Sequence, residues 1–371
     1  MKILILANPD SVHTFRWVAS LAEEGLDILL FGFNSNNELY KNMKSVKLFS
    51  LHLNNDLCIE DNQARKISYF KAMPQIKKII KIHRPDLVHA HYLSSYGLIG
   101  AFLNFHPFAV SVWGSDIFDF PKRSFMHKLV TKFVLYKADY ILSTSHAMAR
   151  ETSLYAKGNV EVTPFGIDIQ QFKNKTVASV FHKNDIVLGT IKSLDVIYGV
   201  EFLIKAFKIV KDKHPAVPLK LLIVGDGEQE KYLKNLAKQL KINSDTVFTG
   251  KVPHSDVVSF HNMISIFVNV SLRESFGVSV LEASACEKPV VVSNVGGLPE
   301  VVEDGVTGII VPPEDEYKTA EAVELLLDEK IREKMGRAGR ERVLRMFNWE
   351  DNVTQMKNIY DRLAGTRGRP D

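Results

Sequence analysis

The sequence predicts an α/β protein made of two Rossmann-like domains with parallel sheets that face each other. Three observations carry the prediction. At 371 residues the chain exceeds one typical core and suits two domains of ordinary size. Short β-rich runs alternate with amphipathic helical stretches along its length. The β-rich runs are apolar on both faces, as in parallel strands covered by helices on both sides.

In the first half, strands are expected at 2–7 (KILILA), 27–32, 46–51, 86–91 (DLVHAH), 108–114 (FAVSVWG) and 140–145. Helical stretches such as HTFRWVASLAEEG lie between them, with Gly25 placed to stop the helix. The second half repeats the scheme with strands at 185–191, 220–225, 246–250, 264–270 (ISIFVNV), 288–294 and 307–312. Residues 163–179 follow neither period cleanly, which divides the chain into domains at 1–173 and 174–347.

Composition narrows the class. The chain is 46% apolar and 24% charged, with no run near the ~20 apolar residues of a membrane span, so it is expected to be soluble or peripheral. The opening MKILILA is too short for a signal peptide and meets Asn8, Pro9 and Asp10 at once. Cys58 and Cys286, one in each half, imply no disulfide framework, and the cytoplasm is the natural compartment. Residues 1–175 hold 21 Lys and Arg against 15 Asp and Glu, while the remainder has a net charge of −2. The basic excess gathers in 71–85 and 120–137, where cations alternate with apolar residues at helical spacing. A solvated helix face and a helix lying on an anionic membrane surface both fit; nucleic acid does not, since no binding motif accompanies the charge.

Parallel sheets bind ligands at the carboxyl ends of their strands. The loop after the first strand, NPDSVHTF, has no glycine, which disfavours a nicotinamide dehydrogenase. Gly225 and Gly227 in VGDGEQ fit a tight strand-to-helix turn or a ligand contact. The richest stretch is LRESFGVSVLEASACEKPVVVSNVGGLPE, 272–300, where Glu274 follows a strand and Glu282 stands eight residues on, within the next helix. The first turn between them presents unpaired amides and a partial positive charge, suited to a phosphate. Two carboxylates flanking such a cradle fit a ligand with hydroxyls at both ends, such as a nucleoside diphosphate sugar.

On these residues, and on the nearly continuous run from KYLKNLAKQL to EDGVTGIIVPPED, the chain resembles the retaining glycosyltransferases of the GT-B fold, the large fourth family of sugar-nucleotide transferases. The first half matches more loosely through HTFRWVASLAEEG, PDLVHAH and YILSTSHAM. The resemblance implies that Glu274 contacts the donor sugar, beside Ser275, and Glu282 the ribose. Main chain of Phe276, Gly277 and Val278 would meet sugar and phosphate, and that of Val252 the base. The closing segment, 348–371, looks like the family's last helix, which crosses back to the first domain.

Two departures are visible. Where the family usually has Arg and, six residues later, Lys to neutralise the leaving pyrophosphate, this chain has Lys192 and Tyr198. Lys192 keeps one cation, Tyr198 offers a hydroxyl or a packed ring, and Arg273 is a candidate substitute. Where many relatives have His, this chain has Trp113, followed by Gly114 and Asp116. Trp113, Gly114, Asp116 and His13 are then the acceptor-side candidates, and His13, Asp116, Lys192 and Glu274 the catalytic set. His89 and His91 are read as facing opposite sides of their strand, one toward the ligand, and His146 as structural.

The expected reaction moves a sugar from a nucleoside diphosphate sugar to a hydroxyl, with configuration retained and no metal or cofactor required. Domain closure would exclude water. The acceptor is expected to be a saccharide, lipid-linked or belonging to a surface polysaccharide, at the inner face of a membrane. A non-hydrolysing sugar-nucleotide epimerase and a non-catalytic nucleotide-sugar-binding subunit remain alternatives.

Overall fold

A computed structural model describes residues 1–33, 37–51 and 69–365; Cys58 lies outside the described residues. The chain forms two compact units, Met1–Pro164 with Asn352–Asp371, and Phe165–Asp351. Each is described by itself.

The first unit is built on a seven-stranded sheet: β1 (Lys2–Leu6), β2 (Asp27–Gly32), β3 (Val46–Ser50), β4 (Leu87–His91), β5 (Phe108–Val112), β6 (Tyr140–Ser143) and β7 (Val160–Val162). The order is β3-β2-β1-β4-β5-β6-β7. Every pairing is parallel, with Leu6 beside both Phe31 and Ala90. All six expected strands are present. The seventh, β7, was not expected: Val-Glu-Val is three half-buried residues at a sheet edge, too short for a period to show.

The second unit holds β8 (Ile186–Ile191), β9 (Leu219–Val224), β10 (Thr246–Phe248), β11 (Ile266–Asn269), β12 (Val290–Ser293) and β13 (Gly308–Val311). They are ordered β10-β9-β8-β11-β12-β13, again all parallel. Numbered within its own unit, the second sheet runs 3-2-1-4-5-6, the doubly wound order, and the first runs the same way with β7 added at its edge. Strand order therefore reverses between β1 and β4 in one unit and between β8 and β11 in the other.

Burial explains the sequence pattern. Ile3, Leu4, Ile5 and Leu6 of β1 are wholly buried, as are Leu221, Leu222, Ile223 and Val224 of β9. Both faces of each strand are covered, so alternation disappears. Each such side chain contributes about 1.5–3 kcal/mol relative to leaving it in water. The final helix, Trp349–Gly365, places Tyr360, wholly buried, in the first unit.

Candidate functional site

In the second unit, Lys192 directly follows β8 and Glu274 follows β11, the two strands between which the order reverses. Residues 82 apart in sequence thus meet: the Lys192 ammonium donates to Oε2 of Glu274 in an ion pair whose side chains are only 13% and 11% exposed. The Lys192 Nζ also lies 4.6 Å from the centroid of the Tyr198 ring, within cation–π range. Burial raises the Tyr198 pKa, with Lys192 opposing, so the phenol keeps its proton and its capacity to donate.

Backbone packing holds this cation in place. The Lys192 N–H donates to the Val224 carbonyl at 3.0 Å and the Leu194 N–H to that of Asp226 at 2.7 Å. A Cβ on Gly225 would sit 1.8 Å from the Lys192 carbonyl oxygen, and one on Gly227 2.7 Å from Leu194 backbone. The two glycines of VGDG therefore exist so that this loop can lie against the strand exit carrying Lys192.

Glu274 is fixed as tightly. Asn269 Nδ2 donates to its Oε2 at 3.4 Å, and Ser271 Oγ ties down Asn269 Oδ1 at 2.6 Å. The Gly297 N–H donates to the Glu274 carbonyl at 3.2 Å, and a Cβ on Gly296, whose φ is +52°, would lie 1.7 Å from that oxygen. The GG of NVGGLPE is thus the wall against which the carboxylate loop rests.

The helix Val278–Ala285 opens on Gly277, whose φ of 109° and close neighbour Leu298 admit only glycine. Its first turn includes Val278 and Ser279, whose amides point out of the helix end without an intrahelical acceptor. The Phe276 ring packs edge-on against Phe165 and Phe347, at 6.5 and 5.9 Å. Glu282, in the second turn, is buried and takes a 3.2 Å hydrogen bond on Oε2 from Nε2 of the wholly buried His261. Val252 sits half-buried in the loop after β10. Arg273 is exposed, its N–H reaching the Ile197 carbonyl at 3.4 Å.

The corresponding break in the first unit is different. The His91 ring, at the end of β4, packs at a tilt 4.7 Å from that of Trp113, which meets the His13 ring edge-on at 6.1 Å. His89 and His91 do not face opposite sides: their rings lie 4.5 Å apart, because residues two apart on a strand share a face. His89 bonds Tyr360 Oη at 2.7 Å and Ser111 Oγ at 2.8 Å. Burial lowers its pKa to about 3 and puts that of His91 well below the ordinary range. Both rings are neutral at pH 7.

Asp116 is completely buried. It accepts from the amides of Leu93 at 2.7 Å, Gly114 at 2.8 Å and Trp113 at 3.1 Å, and burial raises its pKa against those bonds. It ties the loops after β4 and β5 together, with Gly114 at a φ of 155°. His146 is exposed at the start of a helix capped by Ser145.

The comparisons with known proteins can be set beside this geometry. The family model described as Glycosyl transferases group 1 matches residues 171–342, and Glycosyl transferase 4-like matches residues 2–145. N-acetyl-alpha-D-glucosaminyl L-malate synthase of Bacillus anthracis is 30% identical over 295 residues, 74% of each chain. The chain belongs to the glycosyl transferases group 1 family. The capsular polysaccharide biosynthesis glycosyltransferase CapM of Staphylococcus aureus is a further relative, 29% identical over 80% of this chain and 83% of its own. HepE of Anabaena, solved in complex with UDP and glucose, superposes with a TM-score of 0.79 at 20% identity, covering 98% of this chain and 100% of that one. The fold of this glycosyltransferase is therefore GT-B.

Sequence reading had singled out both carboxylates and the cation of the second unit. It missed His261, Asn269 and the glycine pair Gly296 and Gly297. A histidine in the otherwise ordinary helix His254–Met263 and an asparagine ending an apolar strand were the available signals.

Proposed function

We propose that this chain is a retaining glycosyltransferase that moves a sugar from a nucleoside diphosphate sugar to an acceptor hydroxyl. The observation that carries the reading is the shielded Lys192–Glu274 ion pair beside the first turn of Val278–Ala285. Glu274 and main chain of Ser275, Phe276, Gly277 and Val278 hold the sugar and phosphates, and main chain of Val252 the base. Glu282 takes the ribose hydroxyls on Oε1, while His261 fixes its other oxygen.

In the reaction the C1–O bond to the β-phosphate breaks as the acceptor oxygen bonds C1 on the same face, and the acceptor proton passes to the leaving phosphate. The protein supplies position and charge. Lys192 and the first-turn amides oppose the growing phosphate charge, so no divalent metal is required in this reading. Tyr198 supports the ammonium from below. In the first unit, His13 and Trp113 present polar and aromatic edges to an acceptor saccharide, and Asp116 positions Trp113 and Gly114 through their amides.

The acceptor is a lipid-linked or surface-polysaccharide saccharide, and CapM, a capsular polysaccharide enzyme by name, supports that class. The helix Phe125–Lys137 supports an anionic membrane surface as its setting: Phe125, Met126 and Tyr136 are 73%, 65% and 71% exposed beside exposed Lys128 and Lys132. Lys77, Lys78 and Lys81 stand exposed on Met73–His83 with Ile82. No helix among the described residues is long and apolar enough to cross a membrane. A thermal-shift screen of UDP-, GDP- and ADP-sugars, followed by transfer to a saccharide acceptor with proton NMR of the anomeric signal, tests the reaction. Stabilisation by one sugar nucleotide and a retained anomer are expected; an inverted anomer, or an epimerised donor with no transfer, would overturn it.

A further inference from the structure

The amino-terminal ends of β8, β11 and β12, at the opposite edge of the second sheet from Lys192 and Glu274, line a hollow of about 500 Å³. Lys175 and Lys183, on the stretch leading into β8, and Lys288, just before β12, line it. The acids around them are already engaged. Glu287 accepts from Asn174 at 3.1 Å and lies 3.9 Å from Arg340, Glu333 pairs with Arg337 at 3.3 Å, and Asp185 accepts from the His182 amide at 2.9 Å. Arg332 is spent on the carbonyls of Leu326 and Leu327, each at 3.1 Å. Among the described residues none of the three ammonium groups has a carboxylate within ion-pair distance.

Lys288 is the telling member. Its Nζ has one protein acceptor, the Asn262 carbonyl at 3.4 Å, and burial pulls its pKa below the ordinary value. Withdrawing this ammonium from water costs free energy that the neighbouring Glu287 charge offsets only in part, and gathering two more cations around one concavity adds repulsion. The loop bearing Lys175 is meanwhile pinned over the hollow, its amide donating to Asn262 Oδ1 at 2.9 Å. A compact, multiply charged anion accepting charge-assisted hydrogen bonds from these ammonium groups would stabilise the arrangement. We propose that the hollow lined by Lys175, Lys183 and Lys288 is a second anion site, distinct from the donor site, that takes the phosphate group of a small molecule.

Two sources share that chemistry, inorganic oligophosphate and a sugar phosphate. Calorimetric titration of the full chain with inorganic pyrophosphate, in a Lys192→Met background that weakens the donor side, tests the site. Binding persists in that background, weakens at least tenfold on adding Lys288→Met, and weakens severalfold on adding Lys183→Ser at an exposed position where folding is not at stake. A hexose phosphate binding more tightly than pyrophosphate identifies a sugar phosphate as the ligand, and the reverse identifies free oligophosphate. No binding in the Lys192→Met background, or binding indifferent to both lysine substitutions, would overturn the proposal.

Discussion

At the break in strand order the first sheet gathers aromatic rings and neutral imidazoles, whereas the second gathers an ammonium and two carboxylates. Both sheets contain the order 3-2-1-4-5-6, so the fold makes the same crevice twice and the side chains decide what each is for. In the second unit Gly225, Gly227 and Gly296 brace the loops that carry Lys192 and Glu274. In the first, Asp116, the one buried carboxylate among its described residues, is consumed by three amides and braces the loops. In the proposed function, charge stabilisation accordingly falls to the second unit and shape to the first.

Removing a charge from the second unit breaks that division most sharply. Lys192→Ala is expected to lower kcat by about 10²–10³, as loss of one preorganised electrostatic group does, and to weaken donor binding by less. Steady-state kinetics check this, and an unchanged kcat would count against it. Gly296→Ala tests the bracing itself: displacing the Glu274 main chain is expected to cost about 10²-fold in kcat/KM while the protein stays folded.

The first unit should answer in stability instead. Asp116→Ala leaves three amides without an acceptor and is expected to cost about 2–4 kcal/mol in urea unfolding. Its acid sensitivity should be marked as well. Below about pH 6.5 the unfolded chain protonates His89 and His91, while the folded unit, with His89 held at about 3, does not. Stability is full above that pH and falls by up to ~1.4 kcal/mol per pH unit per histidine as pH drops toward 3. A His89→Gln variant should flatten this slope over pH 6 to 4; an unchanged slope would contradict the burial argument.

The smallest expected effect is on Cys286, whose thiol burial pushes up to about 12. Peptide mapping after treatment of the folded protein with a thiol reagent should find it unmodified.

The fold was legible because parallel strands buried on both faces leave continuous apolar runs, as β1, β2, β9, β11 and β12 do. Three residues of β7 at an edge carry no such run. In the site, Glu274 and Glu282 stood out as charges in an apolar stretch, but what holds them did not. Lys192 lies 82 residues from Glu274 and His261 lies 21 from Glu282, distances that only the strand order closes. Asp116 shows the converse: a carboxylate beside a strand end reads as chemistry, and only the three amides around it reveal a brace.

The central claim is that the second unit's crevice clamps a nucleotide, with Glu282 on the ribose. Calorimetric titration with UDP, GDP and ADP, each beside its 2′-deoxy analogue, tests it most directly. The wild type is expected to bind one base best and to prefer the ribonucleotide severalfold, and Glu282→Ala to weaken that binding at least tenfold and erase the preference. Equal affinity of wild type and Glu282→Ala, with the preference for ribose intact, would contradict it.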